Sequence, residues 1–124
     1  MQQFRFNKWK VYEDSQKLFS LIFDIVKKLP KEYRFEIGSQ IIRSCLSVSL
    51  NIAEGSGKHS NKEFCRFIDI ALGSTYETVS CADTLYRNML VDKKGYDEVE
   101  TLAGEICRQL GGIIKNTKKA VSSL

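Results

Sequence analysis

Asn51-Ile52-Ala53-Glu54-Gly55-Ser56-Gly57-Lys58-His59, followed at once by Ser60-Asn61-Lys62-Glu63-Phe64-Cys65-Arg66-Phe67, decides the fold. The stretch reads as one helix ending and another starting with almost no loop between them. Gly55 stands where the left-handed residue that closes a helix C-terminus is wanted, because glycine adopts that conformation without a Cβ clash. Ser60 and Glu63 have the spacing of a capping box, in which each side chain reaches the other's exposed backbone N–H. The centre of the chain is therefore predicted to be a tight helical hairpin.

Outward from this hairpin, apolar residues keep a helical spacing nearly to both ends. The first helix is predicted over about Lys8–Leu29, with Val11, Ser15, Leu18, Ile22, Ile25 and Leu29 stepping by four and three, Asn7 as its cap and Pro30 as its stop. The second, about Phe35–Glu54, places Ile37, Ile41, Cys45, Val48 and Ile52 on one face. Beside them Ile42, Leu46, Leu50 and Ala53 form a second apolar strip. The third runs to about Leu90, with Phe64, Ile68, Ala71, Thr75, Thr78, Ala82, Leu85 and Met89 at a 3.5-residue period, which implies left-handed, near-parallel packing. Gly73-Ser74 within it suggests a close helix crossing or a slight bend. Asp92-Lys93-Lys94-Gly95 breaks the pattern, and the fourth helix is predicted over about Tyr96–Ala120, with acidic residues in its first turn and lysines in its last. The expected architecture is all-α, a single domain over residues 1–124 folded as an antiparallel up-down-up-down four-helix bundle.

Composition permits this and narrows the chemistry. A chain of 124 residues can bury a core without metal or disulfide, and a lone proline leaves long helical windows. No apolar run approaches the roughly 20 residues a membrane span needs, and no secretory leader pattern is present, so a cytoplasmic protein is expected. Cys45, Cys65, Cys81 and Cys107 form no C-x-x-C pair and read as small buried hydrophobes. His59 is the sole histidine and sits in the central turn, which excludes a di-iron bundle site and leaves no partner set for Ser-His or Cys-His catalysis. Gly55-Ser56-Gly57-Lys58 lacks the spacing and the preceding strand of a phosphate loop. No enzyme activity and no cofactor are indicated.

Two surfaces remain. On the second helix, two apolar strips and the polar strip Gln40, Ser44, Ser47, Asn51 and Glu54 exceed what one small core can cover. Together with Arg43 and Leu50 they form a candidate oligomer interface, and Arg43 is expected to pair with Glu54 or Glu77. An unusually central helix in a monomer is the competing reading. The net charge of +4 permits an anionic partner. Lys27, Lys28, Lys93, Lys94, Arg108, Lys115, Lys118 and Lys119 lie at predicted helix ends or along the fourth helix and could neutralise phosphates, against the plainer reading of solvated lysines. Exposed aromatics for base stacking are not evident, since most Phe and Tyr fall on core stripes.

In combination, Phe4-Arg5-Phe6, Trp9, Gln40-Ile41-Ile42-Arg43-Ser44, Asn51-Ile52-Ala53-Glu54-Gly55, Glu63-Phe64-Cys65-Arg66-Phe67 and Ala71-Leu72-Gly73-Ser74 resemble the four-helix-bundle proteins encoded in intervening sequences of bacterial 23S ribosomal RNA genes, also labelled S23 ribosomal proteins. The resemblance covers nearly the whole chain. It implies a protomer that assembles into a ring-like homopentamer with no established enzyme activity. The same superfamily includes the accessory variability determinant of diversity-generating retroelements, which implies RNA, DNA or a reverse transcriptase as possible partners. A structural scaffold that binds another protein, with no nucleic-acid role, is the alternative.

Overall fold

The computed structural model describes residues 4–122, with side chains to residue 120. A 3-10 turn at Arg5–Lys8 leads into α1 (Lys10–Lys28), followed by the single-turn α2 (Lys31–Arg34), α3 (Ile37–Ser56), α4 (Asn61–Arg87) and α5 (Lys93–Ser122). Among the described residues every regular element is helical. The long helices pack in a cycle: α3 lies on α4, α4 on α5, and α1 on both α3 and α5.

The core is the set of stripes expected from spacing. Leu18, Ile22 and Leu29 of the α1 segment meet Ile41, Cys45, Val48 and Ile52 of α3, Ile68, Ala71, Ala82 and Leu85 of α4, and Val99, Ala103, Ile106 and Leu110 of α5, all fully or almost fully buried. Thr75 and Thr78 are also wholly buried. Each satisfies its hydroxyl by donating to a carbonyl one turn back, Thr75 to Ala71 and Thr78 to Ser74, so a polar residue sits on the stripe without an orphaned group. Met89 departs from the expected stripe. It stands 91% exposed with φ 61°, in the left-handed conformation that closes α4 two residues after Arg87.

Helix ends differ from expectation in instructive ways. Trp9, extended at φ −74° and ψ 135°, holds the N-cap position of α1 with no side-chain bond, and Asn7 lies inside the preceding 3-10 turn. That turn is closed by the Trp9 N–H donating to Phe6 O at 3.0 Å. Pro30 ends α1 as predicted, with Leu29 in the extended conformation that a following proline imposes. Its carbonyl then accepts from the Tyr33 and Arg34 N–H groups to open α2. The expected break between α4 and α5 is present but falls at residues 88–92: Asp92 caps α5, its carboxylate accepting from the Gly95 N–H at 2.8 Å, so α5 starts at Lys93, three residues earlier than expected.

The central hairpin holds, with a different role for its glycine. Gly55 is buried inside α3, its φ is negative, and the helix ends at Gly57 (φ −91°, ψ 0°). A Cβ at Gly55 would lie 2.9 Å from Phe67 Cβ and 3.5 Å from Phe64 O, so this glycine lets α3 and α4 approach. At Gly73-Ser74, where a close crossing or a slight bend was expected, Gly73 has nothing within 4 Å of its would-be Cβ and the close contact is made by Ser74, 2.8 Å from Ser47 of α3. Ser60 caps α4 by accepting from the Glu63 N–H at 3.1 Å. The reciprocal half of the box is replaced by a 2.6 Å pair between Glu63 and Arg66, one helical turn on.

Candidate functional site

The polar strip of α3 is used within the chain. Gln40 donates to Glu77 at 3.1 Å, the Thr78 and Ser44 hydroxyls lie 3.1 Å apart, and Ser47 and Ser74 share a hydrogen bond of 2.8 Å. Asn51 donates to both the hydroxyl and the carbonyl of Ser47. Ser44 is 4% exposed. The small side chains therefore do allow a helix to approach closely, but that helix is α4 of the same chain, which corrects the expectation that Ser44 and Ser47 meet another subunit. Arg43 is exposed and, among the described residues, makes no ion pair. Glu77 is taken by Gln40 and Glu54 faces Lys58 at 3.9 Å.

The second apolar strip is what α3 leaves uncovered. Leu46 is 40% and Leu50 55% exposed. On neighbouring α1, Phe23 is 45% exposed and stacks on Phe19 at 5.9 Å. Contiguous exposed apolar side chains mark an interaction surface, and Leu46 and Leu50, one helical turn apart on α3, form such a pair.

Basic residues divide between the two ends of the bundle. At the end holding the α1–α2 and α4–α5 connections, Lys27 pairs with Asp24, Arg87 with Asp83 and Lys93 with Asp97. Lys94 adjoins Asp97 and Glu98 along the α1–α5 groove, and Lys28 lies beside Asp24, Asp92 and Glu98. These four lysines of the sequence-derived set thus sit in mixed charge. The opposite end, built from the 3-10 turn, the α3–α4 loop, the first turns of α4 and the last turns of α5, carries Arg5, Lys8, Lys58, Lys62, Arg66, Lys115, Lys118 and Lys119. Its acidic side chains include Glu54, which faces Lys58, Glu63, whose carboxyl is held below its ordinary range by the Arg66 hydrogen bond, and Asp69, which lines the groove beside Lys62 and Arg66. Lys62, Arg66 and Lys118 line a groove between α4 and α5 with Asn61, Cys65, Asp69, Ile114 and Thr117. Arg108 stands apart from this cluster, bonded to Glu105.

The basic end also corrects the expectation that exposed aromatics are not evident. Phe4 (61% exposed), Phe6 and Tyr12 form a chain of edge contacts at 6.3 and 4.9 Å. Arg5 lies over Trp9 at 5.6 Å, and Trp9 meets the edge of Phe64 at 6.1 Å. Lys58 and Arg66 lie over Phe67 at 4.9 and 4.5 Å. The Arg5 guanidinium also reaches Ser56 O at 3.4 Å, tying the N-terminal turn to the end of α3. Beside Trp9, a groove of about 520 Å³ is lined by Phe64, Gly112 and Ile113, with Lys10, Arg108 and Asn116 among its polar residues. The signal was in the sequence as Phe4-Arg5-Phe6 and Trp9, but periodicity assigns aromatics to a core and cannot show that residues some fifty positions apart share one surface.

Inside the molecule, a polar network joins α1 to α5. Asp14 is 5% exposed and accepts from Lys10 at 2.8 Å and Gln109 at 2.7 Å. Burial pushes its carboxyl upward, but the two hydrogen bonds and the nearby lysine charges outweigh this and hold it below the ordinary value. Burial pushes the Cys45 thiol up to about 12. Among the described residues no group of three His, Cys, Asp or Glu side chains could hold a metal ion, and no helix is long and apolar enough to cross a membrane.

The 23S rRNA-intervening sequence protein family matches the chain over residues 7–112. The chain is also similar to a crystal structure of a protein of unknown function from the S23 ribosomal protein family of Bacteroides thetaiotaomicron, with a TM-score of 0.79 and 28% identity. The match covers 85% of this chain and 98% of that one. No curated protein matches the sequence.

Proposed function

The chain belongs to the 23S rRNA-intervening sequence protein family, and on that footing we propose that it is a non-enzymatic, homo-oligomeric helical-bundle module that binds nucleic acid through its basic end. We read the long helices as an antiparallel up-down-up-down bundle with left-handed packing. The reverse order of the α3–α4 contacts, Gln40 with Glu77 but Ser47 with Ser74, supports that reading, as does the 3.5-residue period of α4. The observation that carries the binding proposal is the concentration of positive charge at one end. Clustered cations raise the local potential and release condensed counterions when they meet phosphates, whereas the interleaved acids of the other end cancel that field.

Assembly, most simply the pentamer that the family resemblance implies, uses the face of Phe23, Leu46 and Leu50. Repetition of the basic end around a ring would turn a few phosphate contacts per protomer into useful avidity. Labelled RNA or DNA should be retained at about 50 mM salt and released as salt rises. Replacing Lys115, Lys118 and Lys119 by glutamate should weaken binding and flatten its salt dependence. The same change at Lys27, Lys28 and Lys93 should leave both nearly as they were. Absence of retention at low salt would favour the protein-scaffold alternative.

A further inference from the structure

We infer that the basic end is a site for single-stranded nucleic acid, with unpaired bases against Phe4 and the Trp9 groove and phosphates against Lys58, Lys62 and Arg66. The inference rests on the nucleic-acid reading above and adds the kind of strand and the place it lies. Phosphate contacts alone need only charge, and duplexes bury their base faces. Here cations lie beside aromatic rings: Phe4 is 61% exposed, Arg5 lies over the half-buried Trp9, and the buried Phe67 holds Lys58 and Arg66 over its ring. That combination suits unpaired bases, because every base offers a π-face whatever its identity while the backbone follows the charges.

Two further observations favour single strands. The wall of the Trp9 groove includes Gly112, whose absent side chain leaves open space, since a Cβ there would meet nothing within 4 Å. A planar base can enter such a groove. A duplex, by contrast, is usually read by a helix or ribbon laid in its major groove. The exposed part of α5 is not basic along its length: Glu98, Thr101 and Glu105 precede Arg108, which Glu105 engages, and Lys115, Lys118 and Lys119 are confined to its last turns.

Trp9 is the only tryptophan in the chain, so its emission reports directly on this surface. The test uses the full chain with labelled dT12, U12 and a 12-base-pair duplex at about 50 mM salt, followed by anisotropy and by Trp9 fluorescence, a length within the roughly 4–16 nucleotides such surfaces occupy. Single strands are expected to bind at least about tenfold tighter than the duplex and to quench Trp9. Phe4→Ala, at an exposed position, should weaken single-strand binding by roughly 5- to 150-fold, the range for losing one stacked base. Lys58→Glu with Lys62→Glu should weaken it too and reduce the salt slope. Binding of one single strand but not the other still supports the site and gives the 2′-hydroxyl or the thymine methyl a role. Equal or tighter duplex binding overturns the inference, as does single-strand binding that neither changes Trp9 emission nor responds to Phe4→Ala; either result leaves the broader nucleic-acid reading standing. Failure of all three probes to bind overturns both.

Discussion

Replacing Gly55 by alanine should destabilise the protein, although the same change is favourable in most helices. Gly55 has ordinary helical backbone geometry, so alanine would gain about 0.5–1 kcal/mol from reduced unfolded-chain entropy and better helix propensity. Against this, the new methyl would sit 2.9 Å from Phe67 Cβ and 3.5 Å from both Phe64 O and Phe64 Cδ1. The nearest of these atoms is bonded to the α4 backbone and cannot rotate away, and Phe67 is only 7% exposed, so α3 and α4 must separate. Overpacking of this kind costs about 1–3 kcal/mol, which leaves a net loss on the order of 1–2 kcal/mol. Gly73→Ala is the matched control: also within a helix, with nothing near its Cβ, it should stabilise by about 0.5–1 kcal/mol. Urea unfolding followed by circular dichroism, with all variants at one protein concentration, should show the midpoint of Gly55→Ala falling by about 0.5–1.5 M and that of Gly73→Ala rising. A Gly55→Ala protein as stable as the wild type would refute the close-approach argument, and parallel losses in both variants would refute the contrast between the sites.

Three other outcomes follow from the packing. Ser60→Ala should cost about 1 kcal/mol through loss of the bond to the Glu63 N–H, while Glu63→Gln should cost much less because its carboxylate serves only an exposed pair with Arg66; thermal unfolding compares them. Asp14 has a folded-state pKa below its unfolded value, so its contribution is present above the ordinary carboxylate pKa and is lost as pH falls through the depressed one. Asp14→Asn should therefore lower stability at neutral pH and flatten the decline on the acid side of about pH 4, and an unchanged acid limb would remove Asp14 from the account. Leu46→Glu with Leu50→Glu should reduce the mass measured by light scattering while helical content stays near wild type, since both side chains are already substantially exposed in the protomer.

Local periodicity and end chemistry were sufficient for the four long helices, their buried stripes, the Pro30 stop and the Ser60 cap. Each depends on residues within one or two turns, where spacing dictates which side chains share a face. The same information left the hairpin glycine ambiguous. Gly55 could end α3 or let α4 approach, and only the presence of Phe67 on the facing helix distinguishes the two. The strip of Gln40, Ser44, Ser47 and Asn51 was equally legible as a close-contact surface and equally silent about its partner, because small polar residues admit any neighbouring helix. Assignment to α4 required Glu77, Ser74 and Thr78 to be placed opposite them. Net charge could be counted from the chain, but its concentration at one end arises because folding brings the 3-10 turn, the α3–α4 loop and the end of α5 together while setting Lys27 and Lys93 among acids at the other end. Trp9 and Phe64 come to share one surface for the same reason. Helix formation is a short-range consequence of sequence, whereas the field and the exposed face that a partner meets are sums over segments distant along the chain, and only their packing determines which terms add.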